Sequence, residues 1–229
     1  KQKRKAFVAF ITAGYPDLSS TKKLIVEFER VGVDIVELGV PFSDPLADGE
    51  IIQEASQRAL EKGVNLAKIL GLVKRVRKSV KIPLCLMTYY NPIFCFGQER
   101  FIAKALACGV DGLLIPDLPP EEGRAFMKSA HRARLDVICF LSPTSTPRRM
   151  RSIAQASRGF IYYICLTGVT GMRSRLPADI KENIQYIKKH TRKPVCVGFG
   201  VSSKSQVAML KGIADGVIVG RASVKKIKE

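Results

Sequence analysis

The chain has 229 residues, 46% of them hydrophobic and 25% charged, the profile of a globular protein with a sizeable core. Thirty-eight lysines and arginines against twenty acids give a formal charge of +18, which brings nucleic acid, an anionic substrate or an acidic partner into view. No apolar run nears the roughly eighteen residues that span a bilayer, and the basic start, residues 1–5, runs into a strand-like segment without a signal-peptide pattern; a cytoplasmic protein with no membrane partner is expected.

Taken in chain order, apolar runs of strand length recur between turn residues. They are AFVAFITAG (6–14), DIVELGVP (34–41), IPLCLMTYY (82–90), DGLLIPDLP (111–119), DVICFLSP (136–143), GFIYYICLTG (159–168), KPVCVGFGV (193–201) and ADGVIVGR (214–221). Amphipathic helices lie between them, with stripes such as Leu24, Ile25, Phe28 and Val31, or Ile180, Ile184 and Ile187. Asp17, the pair Glu121 and Glu122, and the pair Ser202 and Ser203 read as helix starts, while Gly32, Gly109 and Gly212 read as helix stops before strands.

Eight strands alternating with helices predict a single-domain (β/α)8 TIM barrel over residues 1–229, with an open doubly wound sheet as the alternative. ITAGYPD after the first strand lacks the G-x-G-x-x-G that a Rossmann reading wants. Only a short basic stub follows the last strand, so the chain is expected to lack terminal residues, above all a full last helix.

Cys85, Cys95, Cys108, Cys139, Cys165 and Cys196 show no zinc or redox spacing and read as reduced thiols; no metal site is expected. His131 and His190 sit among Lys and Arg near helix ends and pair with no nucleophile. The basic runs LVKRVRKSVK, TPRRMRS, YIKKHTRK and SVKKIKE fall on different helices without exposed aromatics between them. They read as solvated faces, and no nucleic-acid partner is expected.

The chemistry is expected at the C-terminal ends of the strands. Val36, Leu38 and Val40 alternate outward, which turns Glu37 and Gly39 toward the barrel axis. A carboxyl held there has a raised pKa suited to proton transfer near neutrality. The following loop, PFSDPLADG, carries Asp48 as a second carboxylate, while Asp44 reads as a turn former. Glycines after the last three strands, in TGVTG, GFGVSS and VGRAS, read together as a phosphate cradle. The expected substrate is a phosphorylated small molecule worked on by two carboxyls without a metal or cofactor. A phosphate-binding barrel acting on a ribose or anthranilate derivative is the alternative that the Glu37 and Asp48 spacing disfavours.

In order, AFITAGYPD, ELGVPFSDPLADG, GVDGLLIPDLPPEE, TGVTG and VGFGVSS resemble the tryptophan synthase α-subunit family, from about Phe7 to Val224. The resemblance implies retro-aldol cleavage of indole-3-glycerol phosphate to indole and glyceraldehyde 3-phosphate in tryptophan biosynthesis. Under it, Glu37 is the proton-transfer residue and Asp48 holds the indole N–H; Phe10, Tyr89, Tyr162 and Thr170 line the substrate, and Thr170 belongs to a loop that closes over it. Gly171, Gly200, Gly220 and Arg221 map to the phosphate site. The family commonly has Gly-Ser-Ala at that last turn, where this chain has Gly220-Arg221-Ala222, and Leu166 replaces a residue that is often polar or basic. The resemblance further implies a β-subunit partner in an α2β2 assembly that holds the pyridoxal phosphate. The β subunit would be met through Ser43, Asp44, Pro45, Asn91 and Pro92. A weakly active α chain that mainly activates its partner is the second reading.

Overall fold

The computed structural model describes residues 4–165, 179–198, 201 and 203–228. Its elements are β1 (Ala6–Thr12), α1 (Leu18–Arg30), β2 (Ile35–Gly39), α2 (Glu50–Glu61), α3 (Leu66–Val76), β3 (Leu84–Met87), α4 (Tyr90–Phe96), α5 (Gln98–Cys108) and β4 (Gly112–Leu114). They continue with α6 (Arg124–Arg132), β5 (Asp136–Leu141), α7 (Pro147–Ala156), β6 (Ile161–Ile164), α8 (Ile180–His190), β7 (Val195–Gly198), α9 (Lys204–Leu210), β8 (Gly216–Val219) and α10 (Arg221–Lys228). The strands are parallel, follow chain order, and close when β8 pairs with β1 from Ala6 opposite Gly216 to Ala9 opposite Val219. The result is the (β/α)8 barrel expected from the alternation, and the open sheet is excluded.

Strand alternation sorts the apolar side chains into two bodies. Ala9, Ile11, Val36, Leu38, Leu84, Leu86, Val195 and Val197 face outward and pack under the helices. Val8, Phe10, Cys85, Met87, Ile138, Tyr162, Cys196 and Ile218 face inward and fill the barrel. Inward cysteines thus serve as small hydrophobes, and all six are free thiols. Among the described residues no helix is long and apolar enough to cross a membrane.

Helix signals behave as expected at most ends. Asp17 caps α1 by accepting from the Ser20 N–H, and Ser203 forms a capping box with Gln206 at α9. Gly109 ends α5 in the left-handed region at φ 90°, where a Cβ would be strained. The start predicted at Glu121 and Glu122 is displaced: these residues lie in a turn, the Glu122 and Gly123 N–H groups both donate to the Pro119 carbonyl, and α6 begins at Arg124 without an acid in its first turn. The third predicted strand is cut to Leu84–Met87 because Asp117 takes the Tyr90 N–H and starts α4 there. Each of the connections β2–β3 and β3–β4 holds two helices. After β8 the basic stub forms the eight-residue α10, whose Lys228 pairs with Glu54 of α2 at 2.6 Å.

Candidate active site

On β2, Glu37 points inward between Phe10 of β1 and Cys85 of β3. It is fully buried, and neither carboxylate oxygen has a hydrogen-bond partner among the described residues. Burial pushes its pKa up to about 8, so the carboxyl holds its proton at neutrality. A structural role would require a buried cation or donor, and none bonds it among the described residues. The next inward position on β2 is Gly39, and the Phe10 ring fills the space there: a Cβ at 39 would stand 2.5 Å from the ring. The same ring lies against Gly220 at the end of β8, 3.2 Å from where its Cβ would be. Phe10 therefore sits on the mouth side of Glu37, wedged between two glycines.

Asp48 reaches the mouth from the β2–α2 loop and is 7% exposed. Tyr89, just past β3, donates its hydroxyl to Asp48 Oδ2 at 3.2 Å and accepts the Ala47 N–H at 2.9 Å. Phe42 packs on the Tyr89 ring at 5.2 Å between centroids, and Gln53 donates to the Asp48 carbonyl at 2.8 Å. Burial raises the Asp48 pKa to about 6, against the opposing pull of the Tyr89 hydrogen bond. Glu37 and Asp48 thus stand in different environments, one protonated and one ionised at pH 7. Phe10, Gly39, Asp48, Ile52, Tyr89 and Pro116 are among the walls of a cleft at the mouth, and Glu37 lies one inward position below Gly39.

Tyr162 faces the same interior from β6, its ring 4.8 Å from that of Phe140 and its hydroxyl in the space that a side chain at Gly198 would fill. Burial first, then the Glu37 charge, drives its pKa well upward, so it stays a neutral phenol. Gly220 follows β8, and Arg221 opens α10 with an exposed side chain. Thr170, Gly171, Gly200 and Leu166 lie outside the described residues.

Of the expected partner-facing residues, Ser43 and Asp44 are exposed and bonded to each other in the β2–α2 loop, beside a half-buried Pro45. Asn91 and Pro92 lie in the first turn of α4, joined to that loop through Tyr89. Sequence reasoning missed Leu46 and Phe94, large apolar side chains 85% and 63% exposed in the same two segments. An apolar residue inside an acidic, proline-rich loop was the available signal for Leu46. Gly39 was read only as facing the axis and Gly198 as part of the phosphate cradle in GFGVSS; neither reading foresaw that the Phe10 and Tyr162 rings fill the space beside them.

The family model described as tryptophan synthase alpha chain matches residues 1–229. The chain belongs to that family. A tryptophan synthase alpha chain from Geotalea uraniireducens is 52% identical over all of this chain and 86% of its own length. One from Geobacter sulfurreducens is 54% identical over 97% of this chain and 84% of its own. Among solved structures, tryptophan synthase subunit alpha from Campylobacter jejuni superposes with a TM-score of 0.90 at 36% identity, covering 100% of this chain and 91% of the other. Tryptophan synthase from M. tuberculosis in an aminoacrylate-bound form gives 0.88 at 34% identity, covering 98% and 86%. As a member of that family, the protein is a lyase of tryptophan biosynthesis that cleaves indole-3-glycerol phosphate.

Proposed function

We propose that this cleavage runs on Glu37 and Asp48. Breaking the bond from indole C3 to the glycerol chain needs a proton delivered to C3, the ring N–H held as charge develops there, and a proton removed from the glycerol hydroxyl as it becomes the aldehyde. A protonated Glu37 gives its proton to C3 and takes back the one the hydroxyl loses, so it ends the cycle as it began. Ionised Asp48 accepts the indole N–H. The single observation that carries this is the placement of the two carboxyls, Glu37 sealed inside the barrel with no hydrogen-bond partner among the described residues and Asp48 at the mouth bonded to the Tyr89 hydroxyl. Phe10, Tyr89 and Tyr162 flank the indole in this reading, with Thr170 closing over it. Gly171, Gly200, Gly220 and Arg221 hold the phosphate.

The partner is a β subunit in an α2β2 assembly. In this reading the β subunit carries the pyridoxal phosphate and the α chain needs no cofactor or metal, at work in the cytoplasm. Exposed Leu46 and Phe94, next to Ser43, Asp44, Pro45, Asn91 and Pro92, support this surface as the docking face, since large bare apolar side chains concentrate where proteins associate.

The test is indole release from indole-3-glycerol phosphate by the purified chain, alone and with its β partner. Wild type is expected to release indole, faster with the partner, and Glu37→Gln to lose about a hundredfold or more. A wild-type rate retained by Glu37→Gln overturns the assignment. No indole under either condition, with the partner still accelerated, replaces it with the activator reading.

A further inference from the structure

The +18 charge is one-sided. Residues 1–123 hold 17 basic and 15 acidic residues, a net +2; residues 124–229 hold 21 and 5, a net +16. Because the strands close in chain order, those two stretches are two sides of the barrel. In the first, Arg4, Arg30, Arg58 and Arg77 are each paired with a carboxylate. Across α6, α7, α8 and their following turns, thirteen Lys and Arg face three acids, Asp136, Asp179 and Glu182, and twelve of the thirteen are exposed. Lys188, with Asp215, holds the ion pair among the described residues of that sector.

The fold knits these helices into one surface. Arg158 donates to the His131 carbonyl at 3.3 Å, Lys193 to the Ala154 carbonyl at 2.8 Å, and Arg151 to the Tyr186 hydroxyl at 2.7 Å. Arg134 holds a left-handed φ of 68°, the only such non-glycine residue among those described. In the sequence each basic run lies on its own helix; packing sets them side by side.

The face also says what it fits. None of the large exposed hydrophobics, Val31, Leu46, Phe94, Val207 and Met209, lies on α6, α7 or α8, so it lacks the apolar anchors of a protein interface. Tyr186 is half-buried and stacked with His190 at 4.5 Å, leaving no bare aromatic among the described residues there for stacking unpaired bases. Seven of the eight cations from Arg124 to Arg158 are arginines, whose planar forks match phosphate oxygens. We infer that the α6–α7–α8 face binds the phosphate backbone of duplex nucleic acid, independently of base sequence.

The probe is a labelled DNA duplex of about 24 base pairs titrated with the full chain, by anisotropy, from about 50 to 200 mM KCl. Binding is expected to persist near 100 mM, with a log–log salt slope of about −4 or steeper, since each neutralised phosphate contributes about −0.9. The variant Lys128→Gln, Arg132→Gln, Arg149→Gln, Lys189→Gln, Arg192→Gln removes five exposed cations from this face. It is expected to lose at least about tenfold in affinity near 100 mM and to flatten the slope by about 2 or more. A control removing five exposed lysines from the other side, Lys22, Lys23, Lys74, Lys78 and Lys104, is expected to change little. No binding near 100 mM, or equal losses in both variants, overturns the inference. Displacement of the duplex by charge-matched polyglutamate as readily as by unlabelled duplex also overturns it, and marks the face for acidic proteins instead. A Tm that falls in neither variant keeps unfolding out of the comparison.

Discussion

Glu37 and Asp48 titrate apart, and the cause is local: one has lost water and gained nothing, the other keeps a phenol donor. Activity needs Asp48 ionised and Glu37 protonated, so kcat/KM is expected to rise through a pKa near 6 and fall through one near 8. Asp48→Asn is expected to erase the acid limb. A flat profile between pH 5 and 9 would contradict the roles given to both carboxyls. Gly39 makes a different point about single residues. Gly39→Ala drives a methyl into the Phe10 ring, which also backs onto Gly220 and has little room to retreat. The expected cost is about 1–3 kcal/mol in denaturant unfolding, relieved when Phe10→Leu is added.

Among the elements, the β2–α2 loop and the start of α4 form one unit through Tyr89, which serves both as donor to Asp48 and as acceptor for Ala47. Tyr89→Phe removes a bond that lowers the Asp48 pKa, so the acid limb of the profile is expected to move up from about 6 while the basic limb stays. An unmoved acid limb would show that the loop holds Asp48 without the tyrosine. This unit was only half legible in the sequence. Glu37 could be placed because strand alternation fixes facing, and β2 obeys it residue by residue. Asp48 could be placed at the mouth from loop length, but nothing local in PFSDPLADG tells that Tyr89, some forty residues on, holds it. The third strand was overrun for a related reason: in MTYY the strand-like pattern continues past Met87, while the Tyr90 N–H goes to the distant Asp117 carboxylate and opens α4. Long-range hydrogen bonds leave no mark in composition.

For the whole molecule, the uneven charge has a stability consequence separate from any ligand. Cations crowded on α6, α7 and α8 repel one another, and salt screens exposed charges over about 8 to 10 Å at ionic strengths of 0.1–0.15 M. Tm is expected to rise as NaCl goes from about 20 to 300 mM, and less so in the five-site glutamine variant of that face. A falling Tm would mean that the ion pairs of the first half outweigh this repulsion. Closure of the barrel has another consequence, in time. The bonds that join β1 to β8 link Ala6 with Gly216, far apart in sequence, so that seam forms only once both strands have been made. Until then β1 is the bare edge of an open sheet, with unpaired N–H and C=O groups that any other strand can meet. A nascent chain on the ribosome therefore carries that adhesive edge from the emergence of β1 until the arrival of β8 removes it.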